Sequence, residues 1–479
     1  MNKVMLIYPP GKLYQRSEDR AQCNIEYSSA ASVHACNDLG YCAAILKKNG
    51  YEIFLRDYEI EYANEEILKK DILQFKPDLI FMSTTNATIA DDLKIIKNIK
   101  SYHNCIFVLK GALFYNPEIS LLKKLPLEYG DCFIGGEVEF IILPVVNFFL
   151  KGFGNLSEIT GICYFKNNQL QKSFFGCWQK DLDSLPFPDR SVMRNDLYVR
   201  PDTGEAMATI SVARGCPSQC IYCLTPIISG KKVRFRSTDN VFAEIEECFY
   251  QYGIKNFFFK ADTFTINHKW VKELCDKIIA SELWGKIEFT VNARADTISF
   301  PIVKKLKKAG CFTIAVGFES GNEKSLKRMK KNTTVEQNLK AAKIIKSCGL
   351  PIFGFFMLGF PWETQADLLR TVNHIFAINP DYIEISIAMP FYGTDLFRIC
   401  KEHGLINDMA FGYDYFLNPN ISGTKYVSLE CIKKVRKKAL LSFYLRPWYI
   451  AGKVVHAIDK PIIIKNYVNY GLRLLKNLI

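Results

Sequence analysis

Nowhere in the 479 residues does an apolar run reach the roughly eighteen positions a helix needs to cross a bilayer, so no spanning helix is expected. The early run Val4-Met-Leu-Ile-Tyr8 is too short for the hydrophobic region of a signal peptide and reads as a first buried strand. No long polar or low-complexity tract interrupts a chain that is 49% hydrophobic, which argues against extensive disorder. No finger, helix-turn-helix or RNA-binding motif accompanies the net charge of +13, and nucleic acid is not an expected partner. Its lysines fall instead on solvated helix faces such as Lys304-Lys305 with Lys307-Lys308. Without a signal sequence, sixteen cysteines in so large a chain do not make a disulfide framework. A reducing cytoplasm is the expected setting.

What is present centres on Arg214-Gly-Cys-Pro-Ser-Gln-Cys-Ile-Tyr-Cys223, a C-x3-C-x2-C spacing of Cys216, Cys220 and Cys223. A closed zinc site takes four protein ligands, as do ordinary ferredoxin clusters, so three thiols suggest a cluster with one iron left open. Other cysteines are scattered singly, with no second C-x2-C pair. The alternatives are half of a zinc knuckle, a redox pair, or small buried hydrophobes.

This stretch resembles the radical SAM superfamily, whose C-x3-C-x-aromatic-C loop holds a [4Fe-4S] cluster. The resemblance implies that S-adenosylmethionine (SAM) chelates the fourth iron through its amino and carboxylate groups, with Tyr222 against the adenine.

From Met1 to about Phe149, apolar strands (Val4–Tyr8, Glu52–Asp57, Leu79–Met82, Cys105–Leu109, Asp131–Ile134) alternate with helical patterns, which implies a doubly wound, Rossmann-like parallel sheet. Ligands of such sheets sit beyond the carboxyl ends of the strands. The loops there carry small residues: Pro9-Pro-Gly11, Ser83-Thr84, Gly111-Ala112 and Gly135-Gly136-Glu137. Tight turns explain them as well as a ligand does. In this order the segment resembles the cobalamin-binding domain that precedes many radical SAM cores, which makes Ser83, Thr84, Gly111, Gly135, Gly136 and Glu137 candidate cobalamin contacts. No D-x-H-x-x-G occurs, so cobalamin would be held without a lower histidine ligand, or the domain is empty.

Residues 153–204 read as a bridge, with a hairpin turning at Asn167-Asn168 and a proline-stiffened linker from Leu182 to Arg190. From Met207 to about Tyr392 six strand-helix units follow, the partial (β/α)6 barrel that the resemblance implies. Chemistry belongs at the carboxyl ends of such strands, where Asp262, Arg294, Glu319, the Gly359-Phe-Pro361 turn and Tyr392 collect. Asp262 or Glu319 alone also suits a helix cap, and Arg294 with Glu319 a buried ion pair. By the resemblance Asp262 and Thr263 hold the SAM amino group, Arg294, Glu319 and Ser320 surround its carboxylate and ribose, and Gly359 and Pro361 face the adenine.

Four segments are expected: 1–152 cobalamin-binding-like, 153–204 hairpin and linker, 205–400 radical SAM core, and 401–479 a helical extension. In the last, Phe443-Tyr-Leu-Arg-Pro-Trp-Tyr449 resembles the extension of cobalamin-type radical SAM proteins, and its aromatics either line a cavity or pack. The basic, amphipathic tail from Pro461 suits either peripheral membrane contact or docking on the body. The resemblance implies reductive cleavage of SAM to a 5'-deoxyadenosyl radical, cobalamin-dependent methyl transfer to a small-molecule or lipid-like substrate, and an electron donor such as a flavodoxin or ferredoxin. The alternatives are a radical SAM cyclase or oxidoreductase with a vestigial cobalamin domain, and a non-catalytic iron-sulfur sensor. A methylthiotransferase is disfavoured, because neither a thiol-rich N-terminal cluster nor an RNA-binding C-terminal β-domain is visible.

Overall fold

The computed structural model describes residues 2–16, 20–25, 28, 33–407, 412, 419–458 and 461–478. Its first sheet has the order β4-β1-β5-β6-β7-β8-β9. These strands are β1 (Lys3–Tyr8), β4 (Glu52–Asp57), β5 (Leu79–Ser83), β6 (Ile106–Lys110), β7 (Cys132–Ile134), β8 (Ile162–Lys166) and β9 (Gln169–Lys172), while β2 (Tyr14–Arg16) and β3 (Arg20–Asn24) form a separate antiparallel pair. The helices alternating with them are α1 (Asn37–Lys48), α2 (Glu65–Phe75), α3 (Ile89–Lys100), the single turn α4 (Ile119–Leu122) and α5 (Val138–Lys151). Successive β1 residues enter different cores: Val4, Leu6 and Tyr8 pack on one face, Met5 and Ile7 on the other. A parallel strand covered on both sides must be apolar at every position, which is why this run shows no alternation.

The hairpin expected in the bridge is instead the edge of this sheet. Asn167 and Asn168 both take positive φ, 51° and 59°, as a two-residue hairpin turn requires, and β8 pairs antiparallel with β7. The proline-rich linker then crosses to the second sheet. Asp189 donates its amide to the Gly40 carbonyl in α1, and buried Arg190 bonds Glu244 and the Thr209 carbonyl. A Cβ on Gly40 would lie 2.8 Å from the Pro188 side chain, so glycine permits that close approach.

The second sheet is an open arc of six parallel strands in sequential order: β10 (Met207–Ser211), β13 (Asn256–Lys260), β14 (Glu288–Arg294), β15 (Cys311–Glu319), β16 (Ile352–Leu358) and β17 (Tyr382–Ile387). The short strands β11 (Ala213–Arg214) and β12 (Arg234–Phe235) pair antiparallel beside it. Around the arc lie α6 (Thr225–Ile228), α7 (Thr238–Tyr252), α8 (His268–Ala280), α9 (Phe300–Lys308), α10 (Glu323–Arg328), α11 (Val335–Ser347) and α12 (Gln365–Ile378). Side chains of Ser237, Asn267, Thr334 and Thr364 accept from backbone amides to cap α7, α8, α11 and α12, so each helix starts at a defined residue. A helical C-terminal region follows: α13 (Asp395–Glu402), α14 (Leu429–Tyr444), α15 (Pro447–Ala457) and α16 (Pro461–Leu478). Phe443, Tyr444 and Tyr449 pack against one another there, which fits the packing alternative for these aromatics. Among the described residues no helix is long and apolar enough to cross a membrane.

Candidate active site

The cysteine loop is a lasso closed by the β11–β12 pair. At its start Gly215 has φ +91°, and a Cβ there would fall 2.3 Å from the Lys232 carbonyl oxygen, so only glycine closes the neck. The Cys216 amide donates to the Gly230 carbonyl at 3.1 Å, and the Ile221 amide to the Met329 carbonyl at 3.1 Å. Asp262, at the end of β13, accepts from the Gly215 amide at 2.7 Å and the Thr225 hydroxyl at 3.1 Å, bracing both ends of the loop.

All three thiols line one cavity of about 580 Å³, a size usual for ligand sites. Among the described residues no trio of His, Cys, Asp or Glu could hold a single metal ion. Three thiols lining one cavity suit a cluster, in which each thiolate binds a different iron. Burial pushes the Cys223 thiol up to about 11, so a thiolate there needs a nearby cation of the kind iron provides.

Tyr222, Asp262, Thr263, Arg294 and Glu319 line the same cavity. The ion pair that is the alternative reading of Arg294 and Glu319 does not form. Arg294 donates to both oxygens of Asp296 at 3.0 Å, and Glu319 takes the Lys331 ammonium at 2.7 Å. Burial works against the charge on Arg294, but Asp296 outweighs it and raises the guanidinium pKa above its ordinary range. Glu319 is a non-glycine residue at φ +62°, where β15 shifts register against β16. Strain of this kind, of order 1–3 kcal/mol, concentrates at functional sites.

Three expected SAM contacts lie outside the cavity lining. Ser320 faces Thr371 of α12, the hydroxyls 3.0 Å apart. Gly359 and Pro361 form a turn held by Glu363, which accepts from the Gly359 and Phe360 amides at 2.9 and 3.1 Å. Ser320 and Gly359 pack against α12 and α14 respectively.

The N-terminal domain adds Asp38, Lys110, Gly136, Glu137, Val138 and Glu139 to the same lining. Of the expected cobalamin contacts only Gly136 and Glu137 reach it. Ser83 and Thr84 are buried, and Thr84 donates to Asp92. A Cβ on Gly111 would meet the Thr84 carbonyl oxygen at 2.7 Å, and one on Gly135 the Phe114 carbonyl oxygen at 2.2 Å. Those glycines permit loop-on-loop packing and do not line the cavity. Glu137 is bound bidentately by Arg234 at 2.7 and 2.9 Å, and Glu139 by Arg214 at 2.6 and 3.2 Å. Neither pairing is visible in the sequence, since the partners stand 97 and 75 residues apart. Asp38, Lys110, Lys260, Asn292 and Lys331 also line the cavity and were not singled out from the sequence. Lys260 and Asn292 stand in the strand-end stretches already marked, but Lys331 lies twelve residues beyond Glu319.

Three thiols after the first strand of an open parallel barrel, facing polar residues from later strand ends, define a cluster-dependent barrel enzyme. Residues 210–375 match the radical SAM superfamily, so the chain is an enzyme that carries a radical SAM domain, which implies a [4Fe-4S] cluster and SAM as cofactors. It is 28% identical over 411 residues to an uncharacterized methyltransferase of Pyrococcus horikoshii, covering 85% of this chain and 87% of that one. It is 25% identical over 384 residues to an anaerobic magnesium-protoporphyrin IX monomethyl ester cyclase of Cereibacter sphaeroides, covering 78% of this chain and 61% of the cyclase. Among solved structures, the radical SAM methyltransferase TsrM of Kitasatospora setae superposes with TM-score 0.66 at 16% identity, covering 84% of this chain and 76% of that one. The cobalamin-dependent SAM radical enzyme OxsB gives 0.70 at 16% identity, covering 100% and 72%. Both share the fold.

Proposed function

We propose that the chain is a cobalamin-dependent radical SAM methyltransferase acting on a small-molecule or lipid-like substrate in a reducing cytoplasm. One observation carries this reading: a single cavity is lined both by Cys216, Cys220 and Cys223 and by residues that follow strand ends of the N-terminal sheet, so ligands of the two sheets would share it. The methyltransferase relative that aligns over 85% of the chain supports it. Bound there, the cluster and SAM supply a 5'-deoxyadenosyl radical by reductive cleavage, and cobalamin a transferable methyl group.

The three cysteines would hold three irons of the cluster, and Asp262 and Arg214 fix the loop that carries them. Glu319 and Lys331 are opposite charges side by side, matching the amino and carboxylate groups of SAM, with Arg294 beside them. Phe355, Met357, Met389 and Phe391 give the cavity an apolar wall that excludes water. Gly136, Glu137, Asp38 and Lys110 would meet cobalamin. No histidine lines the cavity among the described residues, so this face offers cobalt no imidazole. The electron donor is a small acidic redox protein of flavodoxin or ferredoxin type, complementary to the net charge of +13.

The test incubates reduced, cluster-loaded, cobalamin-supplied protein with methyl-labelled SAM. The expected result is 5'-deoxyadenosine together with label retained in the cobalamin fraction. A second reading, a cyclase or oxidoreductase with an empty N-terminal domain, is favoured by the packing at Gly111 and Gly135. It predicts 5'-deoxyadenosine with no bound cobalamin and no retained label.

A further inference from the structure

Helices α15 and α16 each turn one face to the body of the protein. Tyr449 donates its hydroxyl to the Asp381 carbonyl at 2.9 Å, and Lys453 lies over the Tyr382 ring at 3.9 Å. From α16, the Tyr467 and Tyr382 hydroxyls are 3.3 Å apart, the Tyr470 ring packs on Tyr444, and Asn466 donates to the Asp202 carbonyl at 2.9 Å. The opposite faces are apolar. Trp448, Val455 and Ile458 of α15 are 72%, 70% and 65% exposed, and Ile462, Val468 and Leu472 of α16 are 59%, 53% and 61% exposed. Trp448, Val455 and Ile458 recur at helical spacing, as do Val468 and Leu472, so each set forms a stripe.

We infer that this helix pair is a monotopic anchor that lies in the interface of an anionic bilayer. Exposed apolar stripes on helices already docked by their polar and aromatic faces mark an interaction surface. Its charge selects the partner: Lys465 of α16 is exposed, as are Lys434 and Lys438 of adjoining α14, while Lys453 and Arg473 turn to the body of the protein. A second copy of the same face would set these cations against their like, whereas an anionic leaflet neutralises them. An apolar stripe flanked by cations, on helices unable to cross a bilayer, is the pattern of an in-plane anchor. This inference does not depend on which substrate the cavity takes.

The test is cosedimentation of the whole protein with vesicles of phosphatidylcholine alone and of phosphatidylcholine mixed equally with phosphatidylglycerol. Binding to the mixed vesicles is expected to be at least about tenfold tighter, and to weaken with added salt. The double variant Val455→Asp/Leu472→Asp should keep its circular dichroism and iron content yet lose at least about tenfold in binding. Phe153→Asp, which changes an exposed aromatic outside the helix pair, should bind as wild type. Equal binding by the double variant overturns the inference. So does wild type that ignores both vesicles, including the case in which it sediments as a dimer that the double variant splits.

Discussion

Arg214, the residue before the neck of the cysteine loop, holds Glu139 of the N-terminal sheet's last helix by two hydrogen bonds of 2.6 and 3.2 Å. Arg234, on the paired strand, holds Glu137 in the same bidentate way. Both sides of the β11–β12 pair are thus fastened to the start of α5, and the loop is positioned by both sheets at once. A buried pair of this kind adds little over apolar packing, but removing one partner strands a charge.

Glu139→Ala should therefore destabilise the folded protein by about 3 kcal/mol, measured by urea unfolding, because Arg214 loses its bidentate partner. The double variant Glu139→Ala/Arg214→Met should recover part of that loss. If the single variant unfolds like wild type, the two sheets are not coupled through this pair.

Gly215→Ala should fold but fail to carry a cluster. The new methyl would sit 2.3 Å from the Lys232 carbonyl oxygen at a backbone φ of +91°, so the lasso must open. Iron content after anaerobic reconstitution is the readout, and Gly253→Ala, at a helix end with open space around it, is the control that should keep its iron.

Glu319→Gln should weaken SAM binding by about tenfold or more, the value of one charge-assisted hydrogen bond, as measured by calorimetry on the cluster-loaded protein. Unchanged affinity would leave Glu319 as a partner for Lys331 and nothing more.

His34 is stacked on Phe258 at 4.5 Å, and its Nδ1 is buried without a hydrogen-bond partner among the described residues. Burial lowers its pKa from 6.5 to about 4. A base whose folded value is depressed binds its proton in the unfolded state first, so stability is lost as pH falls from 6.5 towards 4. Relative to His34→Phe, wild type should lose on the order of 3 kcal/mol across that window and show no further relative change below it. Parallel urea midpoints for the two proteins between neutral and acid pH would disprove it.

Local chemistry was legible in the sequence wherever one segment carries the whole signal. The C-x3-C-x2-C spacing named the thiols, the unbroken apolar strands implied parallel sheets, and polar strand ends marked Asp262, Arg294 and Glu319 before their neighbours were known. Glycines are ambiguous where a loop and a ligand make the same demand. Gly111 and Gly135 leave room for Thr84 and Phe114 of their own sheet. Ser320 follows Glu319 in sequence, but the backbone turns at Glu319's positive φ and Ser320 faces α12. Pairings such as Arg214 with Glu139 and Glu319 with Lys331 depend on how separate elements meet, so no short window contains them.

The most direct test is the metal content of protein purified without oxygen from cells supplied with cobalamin, alongside Cys220→Ala. Wild type should hold about four iron and four sulfide per chain with near-stoichiometric cobalt, and the variant should lose the iron while a Cys275→Ala control keeps it. Full iron in Cys220→Ala would contradict the cluster assignment, and a full cluster with no cobalt would contradict a methyl transfer that depends on cobalamin.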